Sequence, residues 1–281
     1  MPTAAIGGIE TFYEVGGSGP PLLLFSPGGF NATIDNWSSF GIYARLGLLK
    51  PLAEHFTLIA FDRREAGRSG GRVERITWTD YAQQGRGLLD ELGFERVRLM
   101  GGCIGCSVAL AFAVAWPERV ERMVLYSPAG GPRYRLMQRD RFAEHVAFVE
   151  EHGLRAVAEL AQESAKTFAQ DPRLGPWVNV LRNDPAFAQE FVSREPVVYA
   201  TLVEEMAQRL FDRDTVPGPS AEQLVALRTP ALVVPGRDES HATSAARYLE
   251  ECLERSEYWD VLPEEQTAET APARLLAFLQ L

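Results

Sequence analysis

The pentapeptide Gly101-Gly102-Cys103-Ile104-Gly105 constrains this chain more than any other stretch. A β-prone run, Arg96 to Met100, leads into it, and a small-residue helical run, Ser107 to Trp116, leaves it. A strand that must turn at once into a helix leaves little room around the apex, so glycines flank the central residue. Cys103 is that residue. Its side chain is expected at the carboxyl end of a sheet, where open α/β folds place their sites. It also falls at a helix N-terminus, whose dipole favours a thiolate.

The pattern around this elbow alternates short apolar runs with amphipathic stretches. That alternation predicts βαβ units and a mostly parallel twisted sheet with helices on both faces. Strands are expected over Ile9–Val15, Leu22–Phe25, Thr57–Phe61, Met123–Tyr126, Ala231–Val234 and Tyr258–Leu262. Helices are expected over Ile42–His55, Trp78–Leu92 with Gly93 as its left-handed cap, Ser244–Leu253 and Pro272–Leu279. From about Gly130 to Ser220 helical periodicity replaces the β-runs. This predicts a helical lid, 130–220, inserted into a core made of 1–129 and 221–281, with Pro217-Gly218-Pro219 marking the return.

The formal charge of −10 over 281 residues argues against nucleic acid and anionic membrane surfaces as partners. No apolar stretch is long enough to span a membrane, and the N-terminus lacks the basic-then-apolar form of a signal peptide. Three cysteines, two of them close together, make no disulfide framework. The simplest expectation is a cytoplasmic protein with reduced thiols.

Four landmarks in order carry a resemblance: the elbow at Cys103; the loop Ser26-Pro27-Gly28-Gly29-Phe30 after an early strand; Asp62-Arg63-Arg64 with Gly67 and Ser69; and Gly236-Arg237-Asp238 after a late strand. Together they resemble the α/β-hydrolase fold over nearly the whole chain. That fold hosts hydrolases, lyases, cofactor-free oxygenases and non-catalytic receptors, so the resemblance leaves the activity open.

The resemblance makes Cys103 the nucleophile; the plainer reading is a small buried hydrophobe. The Ile104 N–H becomes one oxyanion donor, and Gly29 or Phe30 supplies the second. Asp238 matches the acid that orients a catalytic histidine, or else caps the helix near Thr243. The histidine itself is missing. The loop where the family carries it reads Pro263-Glu264-Glu265-Gln266-Thr267-Ala268-Glu269, and neither Gln266 nor Thr267 is a base near neutral pH.

Of the four histidines, His241 is the best replacement, three residues past Asp238; a surface residue at a helix start is the competing reading. His55 reads as a surface or helix-end residue, and His145 and His152 as lid-helix surface, with one of the two pointing down into the site as the competing reading. Glu65 stands where the family has glycine. It is either an acid–base group or, more simply, the partner of a nearby arginine. Cys103 and Cys106 have the spacing of a reversible disulfide, without the layout of a thioredoxin-like protein or a zinc site. Cys252 reads as packing. Phe142, Phe148, Phe168, Trp177, Phe187 and Phe191 form the lid's own core or line an apolar pocket.

The leading expectation is a cofactor-free enzyme with no metal, in which Cys103 forms an acyl-enzyme from a small, partly hydrophobic ester, lactone, thioester or similar carbonyl compound. A lyase, isomerase or acyl transferase on the same fold, a ligand sensor and a redox protein are the alternatives. Monomer and homodimer both fit.

Overall fold

Eight strands form one sheet in the computed structural model, which describes residues 2–281. They are β1 (Thr3–Ile6), β2 (Ile9–Gly17), β3 (Pro21–Phe25), β4 (Thr57–Phe61), β5 (Val97–Gly102), β6 (Val120–Tyr126), β7 (Ala231–Val234) and β8 (Ser256–Tyr258). Their order is β1-β2-β4-β3-β5-β6-β7-β8. β2 runs antiparallel to β1 and β4, and every other neighbouring pair is parallel. β3, β4, β5 and β7 are near-continuous apolar runs because helices cover both of their faces.

Twelve α-helices accompany the sheet among the described residues. The first three are short: α1 (Asn36–Ser39), α2 (Gly41–Leu46) and α3 (Leu49–Ala53). The single helix expected over 42–55 is thus two, because Gly47 takes φ 56° and caps α2 in the left-handed conformation. α4 (Trp78–Leu92) opens on a reciprocal Thr77–Asp80 capping box and closes on Gly93 at φ 77°. α5 (Gly105–Ala115) has no polar face, and Gly105 through Ala113 are all buried. Two strands differ from expectation. β1 pairs with β2 through a tight turn at Gly7-Gly8 and is too short to stand out as a pattern. β8 ends early, because Val261 N–H bonds back to the Trp259 carbonyl at 2.8 Å and turns the chain off the ladder.

Between β6 and β7 the described chain holds only helices: α6 (Pro132–Glu163), α7 (Val178–Asn183), α8 (Pro185–Val192), α9 (Pro196–Leu210) and α10 (Ala221–Ala226). α6 bends at Gly153, whose backbone (φ 77°, ψ 171°) is not helical. α11 (Thr243–Cys252) and α12 (Thr270–Leu279) close the sheet's far side.

His145 corrects the surface reading. It is fully buried in α6, with Nδ1 3.0 Å from the Arg173 carbonyl and Nε2 2.7 Å from the Tyr199 hydroxyl, so it packs inside the helical segment. His55 is exposed, and His152 stays on the surface beside Glu151. Phe142 and Phe168 pack on Phe30 of the early loop at centroid distances of 5.2 and 5.6 Å, and so join the helical segment to the sheet's carboxyl edge.

Candidate active site

At the end of β5 the chain turns through Cys103 with φ 53°, a region a non-glycine residue seldom occupies. Two glycines make the turn feasible. A Cβ on Gly101 would lie 2.5 Å from the Gly105 carbonyl, and one on Gly105 would lie 2.1 Å from the Phe25 carbonyl. Cys103 N–H donates to the Tyr126 carbonyl at 3.1 Å, which ties the apex to β6. The residue is 6% exposed.

The loop after β7 brings an imidazole to this sulfur. Asp238 Oδ1 accepts the N–H groups of Ser240 (2.8 Å) and His241 (3.0 Å), an Asx-type turn that folds His241 back over Asp238. Both Asp238 carboxylate oxygens then lie 2.8 Å from His241 Nδ1. Gly130, just past β6, bridges to His241 and donates to the Ser240 carbonyl at 2.9 Å, which anchors the loop. Gly236 leaves room for the ring: a Cβ there would fall 2.3 Å from His241 Cβ. Nδ1–H is therefore engaged with Asp238. The buried Nε2 has no oxygen or nitrogen partner, and Cys103 is the strongest favourable charge acting on the ring.

Charge follows this geometry. Burial raises the Cys103 thiol, but the neighbouring His241 charge and hydrogen bond, with the Ile104 and Gly28 N–H groups, outweigh it, and the net shift is downward. For His241 burial opposes the charged form, while Cys103 and Asp238 favour it more strongly; the net shift is upward. Asp238 is held at about 2, chiefly by its hydrogen bond from His241. The two shifts run in the direction that favours a thiolate beside an imidazolium.

The place where the family's histidine is expected is filled by other chemistry. Gln266 is fully buried; its Oε1 accepts the Tyr126 hydroxyl, and its Nε2 donates to the Val261 carbonyl at 2.9 Å. Arg45 Nη1 donates to the Gln266 carbonyl at 2.7 Å. Thr267 is spent on the start of α12, accepting from Thr270 N–H at 3.0 Å.

In the early loop the Gly28 N–H lies near the Cys103 sulfur. Asn36 Nδ2 fixes the loop by donating to the carbonyls of Pro27 (2.8 Å) and Asn31 (2.6 Å). Gly29 offers its carbonyl to Arg63 Nη2 at 2.8 Å, and Phe30 turns its ring into the aromatic cluster.

Glu65 is 1% exposed, with φ 66°, and its Oε1 accepts Arg64 Nε at 2.8 Å. Burial pushes its carboxyl up to about 7 against the pull of Arg64 and Arg63. Cys106 and Cys103 are both free thiols. Cys106 Sγ donates to the Gly101 carbonyl at 3.2 Å, and burial pushes its thiol up. Cys252 is half-buried near Tyr248. Arg63 is legible in the sequence only as part of the Asp62-Arg63-Arg64 landmark, because one arginine in an arginine pair carries no pattern of its own.

The chain belongs to the α/β-hydrolase-fold family, whose model matches residues 21–172. Among curated relatives, an uncharacterized protein of Mycobacterium tuberculosis (strain H37Rv) is 34% identical over 125 residues, covering 44% of this chain and 34% of that protein. A 2-hydroxymuconate semialdehyde hydrolase of Pseudomonas sp. (strain CF600) is 33% identical over 127 residues, 44% of this chain and 41% of the relative. The matches thus span well under half the length of these relatives. The enol-lactonase of Burkholderia xenovorans LB400 superposes with a TM-score of 0.63 over 100% of both chains at 20% identity. A thermophilic esterase of Thermogutta terrifontis gives 0.63 over 99% of this chain and 96% of its own at 23% identity, so what is shared is the fold. No helix of the described residues is long and apolar enough to cross a membrane.

Proposed function

We propose that the protein is a hydrolase that cleaves a small, partly hydrophobic ester, lactone, thioester or related carbonyl compound through a thioester on Cys103. The observation that carries this reading is the line Asp238–His241–Cys103, with an acid-held imidazole turned toward the sulfur. The Cys103 thiolate attacks the carbonyl carbon; a C–S bond forms and the π pair moves to oxygen. In this reading the Ile104 N–H and an N–H of Gly29 or Phe30 hold that oxyanion. Collapse expels the leaving group, which takes the proton from His241 Nε2. Water then attacks the thioester, His241 takes its proton, and the second collapse releases the acid and restores the thiolate.

Helices in 130–220 act in this reading as a lid, packed over the site through Phe30, Phe142 and Phe168. Named activities of relatives, a semialdehyde hydrolase and an enol-lactonase, agree with an activated carbonyl substrate. A reduced, cytoplasmic setting suits a working thiolate.

One observation favours a second reading, transfer of the acyl group to an acceptor other than water. Cys103 is only 6% exposed, so little solvent reaches it. The experiment is a panel of activated esters and thioesters, with and without amine, alcohol and thiol acceptors, followed by intact mass. Turnover lost in Cys103→Ala, together with a transient acyl adduct on wild type, is the expected result. A panel that gives neither turnover nor adduct, with ligand binding retained in Cys103→Ala, overturns it in favour of a sensor.

A further inference from the structure

Arg63 is a buried cation without a counter-charge. It is 6% exposed, at the carboxyl end of β4. Its neighbour Arg64 takes the carboxylates of Glu65 (2.8 Å) and Glu74 (2.5 Å), and among the described residues Arg63 has no carboxylate partner. Its guanidinium lies 4.0 Å from the Tyr81 ring centroid and 5.5 Å from that of Phe30, and Nη2 donates to the Gly29 carbonyl at 2.8 Å. Nε has no partner. Aromatic faces and one carbonyl offset only part of the penalty of taking a guanidinium out of water.

Two further orphan atoms share this neighbourhood. The Tyr81 hydroxyl is buried and unpartnered, and so is Glu65 Oε2. Tyr81, Arg63 and Glu65 lie within each other's electrostatic reach. Three buried polar side chains with unmet hydrogen bonds in one place describe a site that a ligand completes.

This place adjoins the nucleophile. The carbonyl held by Arg63 belongs to Gly29, and the preceding residue, Gly28, presents its N–H to the Cys103 sulfur. Buried Tyr134 spans the two: burial and the Cys103 charge push its phenol up, while Arg141 and Arg63 pull it down. Arg141 lines a narrow crevice with Gly29, Phe30, Gln138 and Phe168.

We propose that Arg63, with the Tyr81 hydroxyl, binds a carboxylate on the acyl part of the substrate, so that the protein acts on monoesters, lactones or thioesters of dicarboxylic acids. A planar carboxylate matches the unused edge of the guanidinium. The inference rests on Cys103 chemistry at the adjoining elbow and names the substrate class for it.

The test compares kcat/KM for an aryl hemiester of succinate, glutarate or adipate with that for the same ester whose second carboxyl is methyl-capped. Wild type should prefer a free carboxylate at one chain length, mainly through KM. Arg63→Gln should lower that preference about a hundredfold, the scale of losing one partner of a buried charge pair. The ratio cancels any loss common to both esters. A ratio unmoved by Arg63→Gln, while Cys103 still turns over both esters, overturns the inference and leaves the hydrolase reading standing. If neither ester reacts, that reading fails by itself, and binding decides this one: C4–C6 dicarboxylates at matched ionic strength should raise the melting temperature of Cys103→Ala and their diamides should not. Equal shifts, or none, overturn it. Should Arg63→Gln not fold, Tyr81→Phe should lower the same ratio severalfold, and no change there is equally fatal.

Discussion

Two loops reach the carboxyl end of β6 and meet it in opposite ways. The loop after β7 docks through backbone bonds between Gly130 and the Ser240–His241 segment, and it leaves a ring nitrogen unspent toward Cys103. The loop after β8 docks through side chains, and it leaves nothing unspent. Gln266 is tied at both ends to Tyr126 and Val261, with its carbonyl held by Arg45. A loop held by its backbone keeps its side chains for chemistry, whereas one held by its side chains is structure. In the proposed mechanism the base sits in the acid's own loop and not in the last loop of the chain, and an Asx turn makes the two neighbours in sequence.

The comparison breaks most readily at His241. His241→Ala should lower turnover by about 10³-fold, the range for removing a general acid–base group. It should also move iodoacetamide alkylation of Cys103 toward the pH of an ordinary thiol, since His241 is what outweighs burial of the sulfur. Unchanged kinetics and alkylation would make the β7 loop as structural as its neighbour.

Asp238→Asn should have a smaller effect, about tenfold to a hundredfold, because the carboxylate side chain is 61% exposed and solvent screens it. Its loss should grow less severe at high salt, and a salt-independent effect would point to ring orientation alone.

Activity and alkylation should diverge with pH. As pH falls through the lowered Cys103 value, the thiolate is protonated, and alkylation and turnover fall together. As pH rises through the raised His241 value, the imidazolium is lost; turnover falls, because the leaving group has no acid, while alkylation persists. Alkylation that begins only in the ordinary thiol range would remove the ion pair.

The smallest effect on reactivity belongs to Gln266. Gln266→Ala should destabilise the fold by about 1–3 kcal/mol by orphaning the buried Tyr126 hydroxyl, and leave the alkylation profile of Cys103 where it was. A shifted profile would show that the β8 loop still tunes the sulfur.

Much of this molecule was legible in local pattern. The apolar runs of β3, β4 and β7, the caps of α4 and the glycine-flanked elbow follow from periodicity and from what a tight strand-to-helix turn permits. Cys103, Ile104, Asp238 and His241 could be singled out because turn chemistry is written in a few adjacent residues. What the chain alone left open depended on distant segments. His145 became a core residue through Arg173 and Tyr199, and Gln266 closed on Tyr126. Each of these is a choice between partners far apart in sequence, and side chains choose partners only when the sheet has closed. By itself, then, the sequence determined the elbow, the strand pattern and the Asp238–His241 turn. Only the tertiary structure decided that this turn faces the thiol and that the usual histidine's place is held by a buried amide, because both follow from how two loops pack on the end of one strand.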